Sequence, residues 1–130
     1  MDVVYPTLGD VLAIHRKELE ASGGADGVRD QEGVEAALDR MKQTLFGDDA
    51  YPSIPAKAAA FFQTIIQRHP FVDGNKRTAV RVTYTFLETN GRRVTATNEA
   101  TVELARGVAS GDYEIDEITD WFRVQTDPEH

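Results

Sequence analysis

Between His69 and Ala79 the chain reads HPFVDGNKRTA, and the side chains in it are of the kinds that handle phosphate. Asp73, Gly74 and Asn75 lead straight into a predicted helix. The free N–H groups of a helix N-terminus, with the positive end of its dipole, form an anion site. Gly74 lets backbone approach an anion closely. Asn75 adds side-chain donors, and Lys76 and Arg77 add positive charge in the first helical turn. Cations are disfavoured at that end of a helix, so their presence calls for a compensating anion, and a phosphate would serve. Asp73 beside phosphates suits Mg²⁺, which commonly takes one or two carboxylates plus phosphate oxygens. His69, closing the preceding helix, is a group able to accept a proton from an attacking hydroxyl.

Each residue also has a plainer reading taken alone. A histidine at a helix C-terminus is often only a cap or a dipole partner. Phe71 reads first as a core anchor of the turn. Asp73 or Asn75 alone would pass as a helix cap. The functional reading rests on coincidence, since a base, an acid, a glycine, an amide and two cations fall within nine residues across one helix–turn–helix.

The elements that must hold this segment are predicted to be helices almost throughout. Thr7 caps a first helix with Asp10 three residues on, and Val11, Leu12, Ile14, His15 and Leu19 give it an apolar side. The run SGGADG from Ser22 to Gly27 stops it. Asp30 caps a second helix through Met41, buried along Val34, Ala37, Leu38 and Met41. Residues 46 to 53 form an exposed connection. Ser53 and Pro55 open a third, mostly buried helix through AKAAAFFQTIIQRH. The fourth runs from about Asn75 to Asn90, with Gly91 as its stop. Residues 92 to 97 read as a short extended piece, Asn98 as the cap of a fifth helix ending near Ser110, and residues 116 to 123 as a last short helix. The tail TDPEH is expected to fray. The result is an all-α bundle of about six helices, one domain over residues 1–130 with its core between 7 and 124, and the active site at a helix–turn–helix junction.

Composition narrows the function classes. Apolar residues make up 41% of the 130, enough for one core without staples, and there is no cysteine to supply a disulfide, a thiolate nucleophile or a zinc ligand. The opening MDVVYPTLGD predicts no signal peptide, and no apolar run is long enough to span a membrane, so a cytoplasmic protein without a membrane partner is expected. A net charge of −8 argues against a nucleic-acid partner. Within that acidic chain, Arg68, Lys76, Arg77, Arg81, Arg92 and Arg93 form a basic island against only Asp73 and Glu88. Such an island points to a local anionic ligand, although Arg92 and Arg93 read first as solvated charges.

HPFVDGNKR resembles the Fic/Doc signature, His-x-Phe-x-Asp/Glu-Gly-Asn-Gly/Lys-Arg, at every fixed position. GVRDQEGVEAALDR resembles the Gly-x-Arg-Asp start of the second helix in Doc-like proteins, and TFLETNGRRV also fits the family's order. The resemblance implies His69 as general base, Asp73 as the Mg²⁺ ligand on nucleotide phosphates, and Gly74, Asn75, Lys76 and Arg77 as the anion cradle. It implies a flap that aligns the target segment, expected between Phe46 and Ser53. Adenylylating Fic enzymes usually carry glycine where Lys76 stands and a second arginine where Val80 stands. Arg81 is a poor substitute, lying about 100° around the helix. Both departures match the Doc (death-on-curing) branch, although Gly74 stands where a phage member of that branch has alanine.

The implied activity is therefore a toxin kinase that moves the γ-phosphate of ATP to a Ser/Thr hydroxyl of a protein, elongation factor Tu by resemblance, and so inhibits translation. The alternatives are AMP transfer of the Fic type and a catalytically weak binding member of a toxin–antitoxin complex. The nearest match to the self-inhibitory pattern of many Fic proteins runs from Thr95 to Glu99 and fails at Ala100. The implied regulator is thus a separate antitoxin whose disordered C-terminal segment folds on the toxin.

Overall fold

The computed structural model describes residues 2–128. Six helices carry the chain: α1 (Leu8–Ser22), α2 (Gln31–Met41), α3 (Ile54–Arg68), α4 (Asn75–Thr89), α5 (Asn98–Ala109) and α6 (Ile115–Val124). Four short strands, β1 (Thr44–Leu45), β2 (Asp48–Asp49), β3 (Arg92–Val94) and β4 (Thr126–Pro128), form two antiparallel pairs, β1 with β2 and β3 with β4.

Local chemistry sets the helix starts. Thr7 Oγ1 accepts from the Asp10 N–H at 3.1 Å while Asp10 Oδ2 accepts from the Thr7 N–H at 2.9 Å, so two otherwise unpaired donors are satisfied together. Asp30 and Ser53 cap α2 and α3 in the same sense, accepting from Gly33 and Ala56. α5 begins one residue earlier than expected. Thr97 accepts from the Ala100 N–H and is the cap, while Asn98 is the first helical residue.

α3 is the axis of the bundle. Every residue from Pro55 to Phe62 is buried, as are Ile65 and Ile66, and the helix packs against α2, α4, α5 and α6. Phe62 meets the Phe122 ring of α6 edge to face. A single cluster joins Val11, Val34, Phe61, Phe86, Leu104 and Ile118, one from each helix. α1 lies across α4 and α2, which carries its C-terminal end toward the turn that joins α3 to α4. Tyr84 of α4 bonds Thr101 of α5, and burial pushes its phenol above the ordinary range.

The connection after α2 is a hairpin, β1–β2, that begins at Thr44, two residues before the expected flap. Its tip, Phe46 and Gly47, has positive φ at both residues (54° and 86°), which suits the twist of a tight hairpin. Phe46 is 97% exposed. Behind it the buried Lys57 of α3 donates to Asp49 Oδ2 at 3.2 Å and to the Met41 carbonyl at 3.4 Å, fixing the hairpin's base.

The C-terminal tail departs from expectation. Thr126–Pro128 does not fray but pairs with β3 (Glu129 and His130 lie outside the described residues). Arg92 explains the pairing, donating through Nε to Thr126 Oγ1 at 2.8 Å and through Nη2 to the Thr126 and Arg123 carbonyls at 3.2 Å. Thr126 is buried and its hydroxyl also donates to the Phe122 carbonyl. Thr126→Ala is therefore expected to destabilise the protein by about 1–3 kcal/mol, because a charged donor and a buried carbonyl each lose a partner. Urea unfolding of this variant beside Thr126→Ser measures it. Equal midpoints for the wild type and Thr126→Ala would show that the hydroxyl bonds of Thr126 contribute nothing.

Candidate active site

The site is built on the turn between α3 and α4, and a second loop grips that turn from outside. His69 caps α3 in a left-handed conformation (φ 49°, ψ 59°), with its N–H donating to the Ile65 carbonyl. This conformation is uncommon for a residue with a β-carbon and persists only where the surroundings impose it. They do so here through the segment that opens α2. Arg29 Nη2 donates to the His69 carbonyl at 3.3 Å and to the Phe71 carbonyl at 3.0 Å. The backbone N–H groups of Arg29 and Asp30 both donate to the Pro70 carbonyl. Arg68 closes the clamp on Asp30 at 3.0 Å. The His69 side chain is left exposed at the lip of the turn.

Inside the turn, Phe71 is fully buried and anchors the chain, as its plainer reading expects. Asn75 fixes it further: its Oδ1 accepts from the Phe71 N–H at 2.9 Å and its Nδ2 donates to the Phe71 carbonyl at 3.0 Å. The Asn75 side chain is thus committed to the turn, and its share of an anion site is its backbone N–H. Gly74 is the N-cap of α4, at φ 78°, with no capping side chain, and the first turn holds no acid. The start of α4 is therefore an uncapped, positively polarised end of the kind that binds anions. A β-carbon on Gly74 would sit 3.3 Å from Leu19 Cδ2 and 3.5 Å from Arg77 Nη2, in a backbone region disfavoured for anything but glycine.

Asp73 projects from the same turn and is held from three sides. Its Oδ1 accepts from the Gly74 N–H at 2.8 Å and its Oδ2 from the Ala25 N–H at 3.3 Å, while its carbonyl accepts from His15 Nε2 at 2.8 Å. Each carboxylate oxygen keeps a lone pair for another ligand. Gly24 makes this approach possible, since a β-carbon there would fall 2.7 Å from Asp73 Oδ2. Arg77 donates to the Gly23 carbonyl at 3.1 Å, so the glycine-rich loop after α1 touches the acid and a cation of the site together. Asp73, Gly74, Asn75, Lys76 and Arg77 line an open depression of about 360 Å³. Beside it, Lys76, Arg77, Val80, Val102, Ala105 and Arg106 line a more apolar groove of about 430 Å³ between α4 and α5.

The donor set fits a magnesium–phosphate group. Among the described residues no three His, Cys, Asp or Glu side chains gather into a metal cage. One well-held carboxylate beside a helix N-terminus and two cations is what an ion needs when phosphate supplies its other oxygens.

The basic island divides on inspection. Arg68 pairs with Asp30, Arg81 with Glu18 at 3.2 Å, and Arg93 with Asp127 at 3.1 Å, while Arg92 holds β4. Lys76 and Arg77 are the two that face the depression. Arg92 anchors the tail, whereas Arg93, 64% exposed and paired with Asp127, is the solvated charge its plainer reading expects. The structure also brings in residues that sequence reasoning had placed elsewhere. His15, counted only as part of the apolar side of α1, and Arg29, counted only in a family pattern, both grip the turn. The signal for His15 was a polar ring at a core position of an amphipathic helix.

Comparisons with known proteins agree with this geometry. A sequence model of the Fic/DOC family matches residues 5–87. "Toxin Doc" of Mycolicibacterium smegmatis is 41% identical over 100 residues, covering 75% of this chain and 77% of that protein. "Protein kinase doc" of Escherichia phage P1 is 28% identical over 117 residues, covering 88% and 89%. The uncapped helix start, the clamped histidine turn and these matches lead to one statement: the chain belongs to the Fic/Doc family, on its Doc branch.

Proposed function

We propose that this Doc-type protein is the toxin of a toxin–antitoxin pair and acts as a kinase, moving the γ-phosphate of ATP to a Ser/Thr hydroxyl of a cytoplasmic protein. The observation that carries the reading is the uncapped start of α4, with Asp73 held beside it and Lys76 and Arg77 in its first turn. In this reading His69 accepts the hydroxyl proton as the oxygen forms its bond to the γ-phosphorus, and the bond from that phosphorus to the bridging oxygen breaks to release ADP. Mg²⁺, held by Asp73, would neutralise charge on the phosphates. The backbone N–H of Asn75, with Lys76 and Arg77, would stabilise the charge that moves onto the leaving phosphate, the Gly74 N–H being taken by Asp73. The chain's contribution is positioning and charge rather than a covalent intermediate.

Two features favour phosphate over AMP transfer. Lys76 places a cation where Fic enzymes leave space for an α-phosphate. Arg81, one position off the missing second arginine, is turned to Glu18 of α1, with its Nε 3.2 Å from the carboxylate. The β1–β2 hairpin, with Phe46 exposed at its tip, is the element we assign to aligning the target segment. The groove between α4 and α5 adjoins the cradle, is apolar along Val80, Val102 and Ala105, and carries Lys76 and Arg77 at its cradle end, with the ion-paired Arg81–Glu18 and Arg106 on its rim. Those properties suit the acidic, amphipathic segment of an antitoxin, which would shut the neighbouring site by occupying it.

Elongation factor Tu is the target we propose, on family resemblance. Incubation of that protein with the toxin, ATP and Mg²⁺ is expected to add the mass of one phosphoryl group, lost with Lys76→Gly. No added mass, or the mass of an adenylyl group, would contradict the kinase reading.

A further inference from the structure

His15 has no role in the chemistry above, yet it is among the most tightly constrained polar residues of the chain. It is 2% exposed on α1, far in sequence from the turn it touches. Its ring lies nearly parallel on Phe71, with centroids 3.9 Å apart and planes 11° apart. Its Nε2 is 2.8 Å from the Asp73 carbonyl oxygen. A carbonyl only accepts, so Nε2 carries the proton and donates it. A buried imidazole is costly unless bonded in this way. Leucine or phenylalanine would fill the same core position without that cost.

We infer that His15 is a positioning residue for Asp73. The argument runs through one peptide group. The Asp73 carbonyl and the Gly74 N–H belong to the same planar unit and point in opposite directions. His15 holds the carbonyl on the core side, so the N–H is driven to the other side, where it meets Asp73 Oδ1 at 2.8 Å. The donor on the carbonyl also polarises the peptide and strengthens the N–H as a donor. The Phe71 stack fixes the imidazole sideways. A ring on α1 thereby sets the angle at which a carboxylate on the α3–α4 turn meets its ligand, as outer partners of metal ligands commonly do.

The inference rests on the reading of Asp73 as the Mg²⁺ ligand, and the experiment separates the two. Binding of Mg²⁺-ATP to the full chain is measured by calorimetry for wild type, His15→Phe, His15→Gln, Asp73→Asn and the His15→Phe/Asp73→Asn double variant, with thermal unfolding of each. Phenylalanine keeps the stack and loses the donor, whereas glutamine offers an amide N–H at the reach of Nε2. His15→Phe is expected to weaken Mg²⁺-ATP binding about 10- to 100-fold. Glutamine is expected to recover most of that loss, and His15→Phe to add little to Asp73→Asn, because His15 acts only through the charged carboxylate that Asp73→Asn has already removed. In the wild type, nitrogen NMR is expected to show the Nε2-protonated tautomer of His15, a readout that needs no variant to fold. Wild-type affinity in a folded His15→Phe protein, additive losses in the double variant, or the Nδ1-protonated tautomer would each overturn the inference. No Mg²⁺-ATP binding by the wild type would instead overturn the reading of Asp73, and the inference with it.

Discussion

Replacing His69 with asparagine or alanine is expected to lower phosphate transfer by about 10² to 10⁴, the usual loss when a positioned general base is removed. The fold should survive, because the side chain is exposed and what the surroundings grip is its backbone: the carbonyl by Arg29 and the N–H by Ile65. Asparagine is the better control, since it tolerates the left-handed conformation that His69 adopts, whereas alanine adds strain there. Thermal unfolding and Mg²⁺-ATP binding should be nearly unchanged for asparagine while transfer and growth arrest disappear. Undiminished growth arrest from stably expressed His69→Asn would remove the histidine from the mechanism.

Asp73→Asn is expected to weaken Mg²⁺-ATP binding by about 100-fold or more, beyond the 10- to 100-fold typical of residues that only orient a ligand. The substitution keeps the shape of the side chain, and an amide oxygen still accepts from Gly74 or Ala25. What goes is the negative charge that offsets the ion, in a site where Lys76 and Arg77 are already positive. Calorimetry with and without Mg²⁺ tests the assignment. The loss should appear with Mg²⁺ present and shrink in its absence. Equal Mg²⁺-ATP affinities for the two proteins would reduce Asp73 to a structural residue of the turn.

How much of this was legible in the sequence differs by element. The helices with strong starts were legible because their signals are local: Thr7 with Asp10, Asp30, and Ser53 with Pro55 each announce a helix in a few residues. The junction at His69–Arg77 was legible for the same reason, since its residue types and spacing are contiguous. Illegible features depend on contacts between distant segments. Nothing near Thr126 predicts a strand; Arg92, more than thirty residues earlier, supplies the bonds that order it. The grip of His15 on Asp73 spans 58 residues, and that of Arg29 on the His69 turn spans 40. Asn75 looked like a donor for phosphate because its amide is free in sequence, but folding gives that amide to the Phe71 backbone. The two readings of Arg92, ligand contact or solvated charge, both omitted a strand that sequence pattern alone does not show.

The central claim is that the terminal phosphate, not the nucleotide, is what leaves ATP at this site. Lys76 in the cradle and Val80 in place of a second arginine favour a pose with the γ-phosphate nearest His69 and Asp73, and Arg81 is withdrawn to Glu18. The direct measurement supplies the wild-type protein, Mg²⁺ and elongation factor Tu with ATP labelled at either the γ- or the α-phosphate. Label from the γ-position should appear on the target protein, with none from the α-position. Transfer of the α-label alone would contradict the account and make the protein an adenylyltransferase.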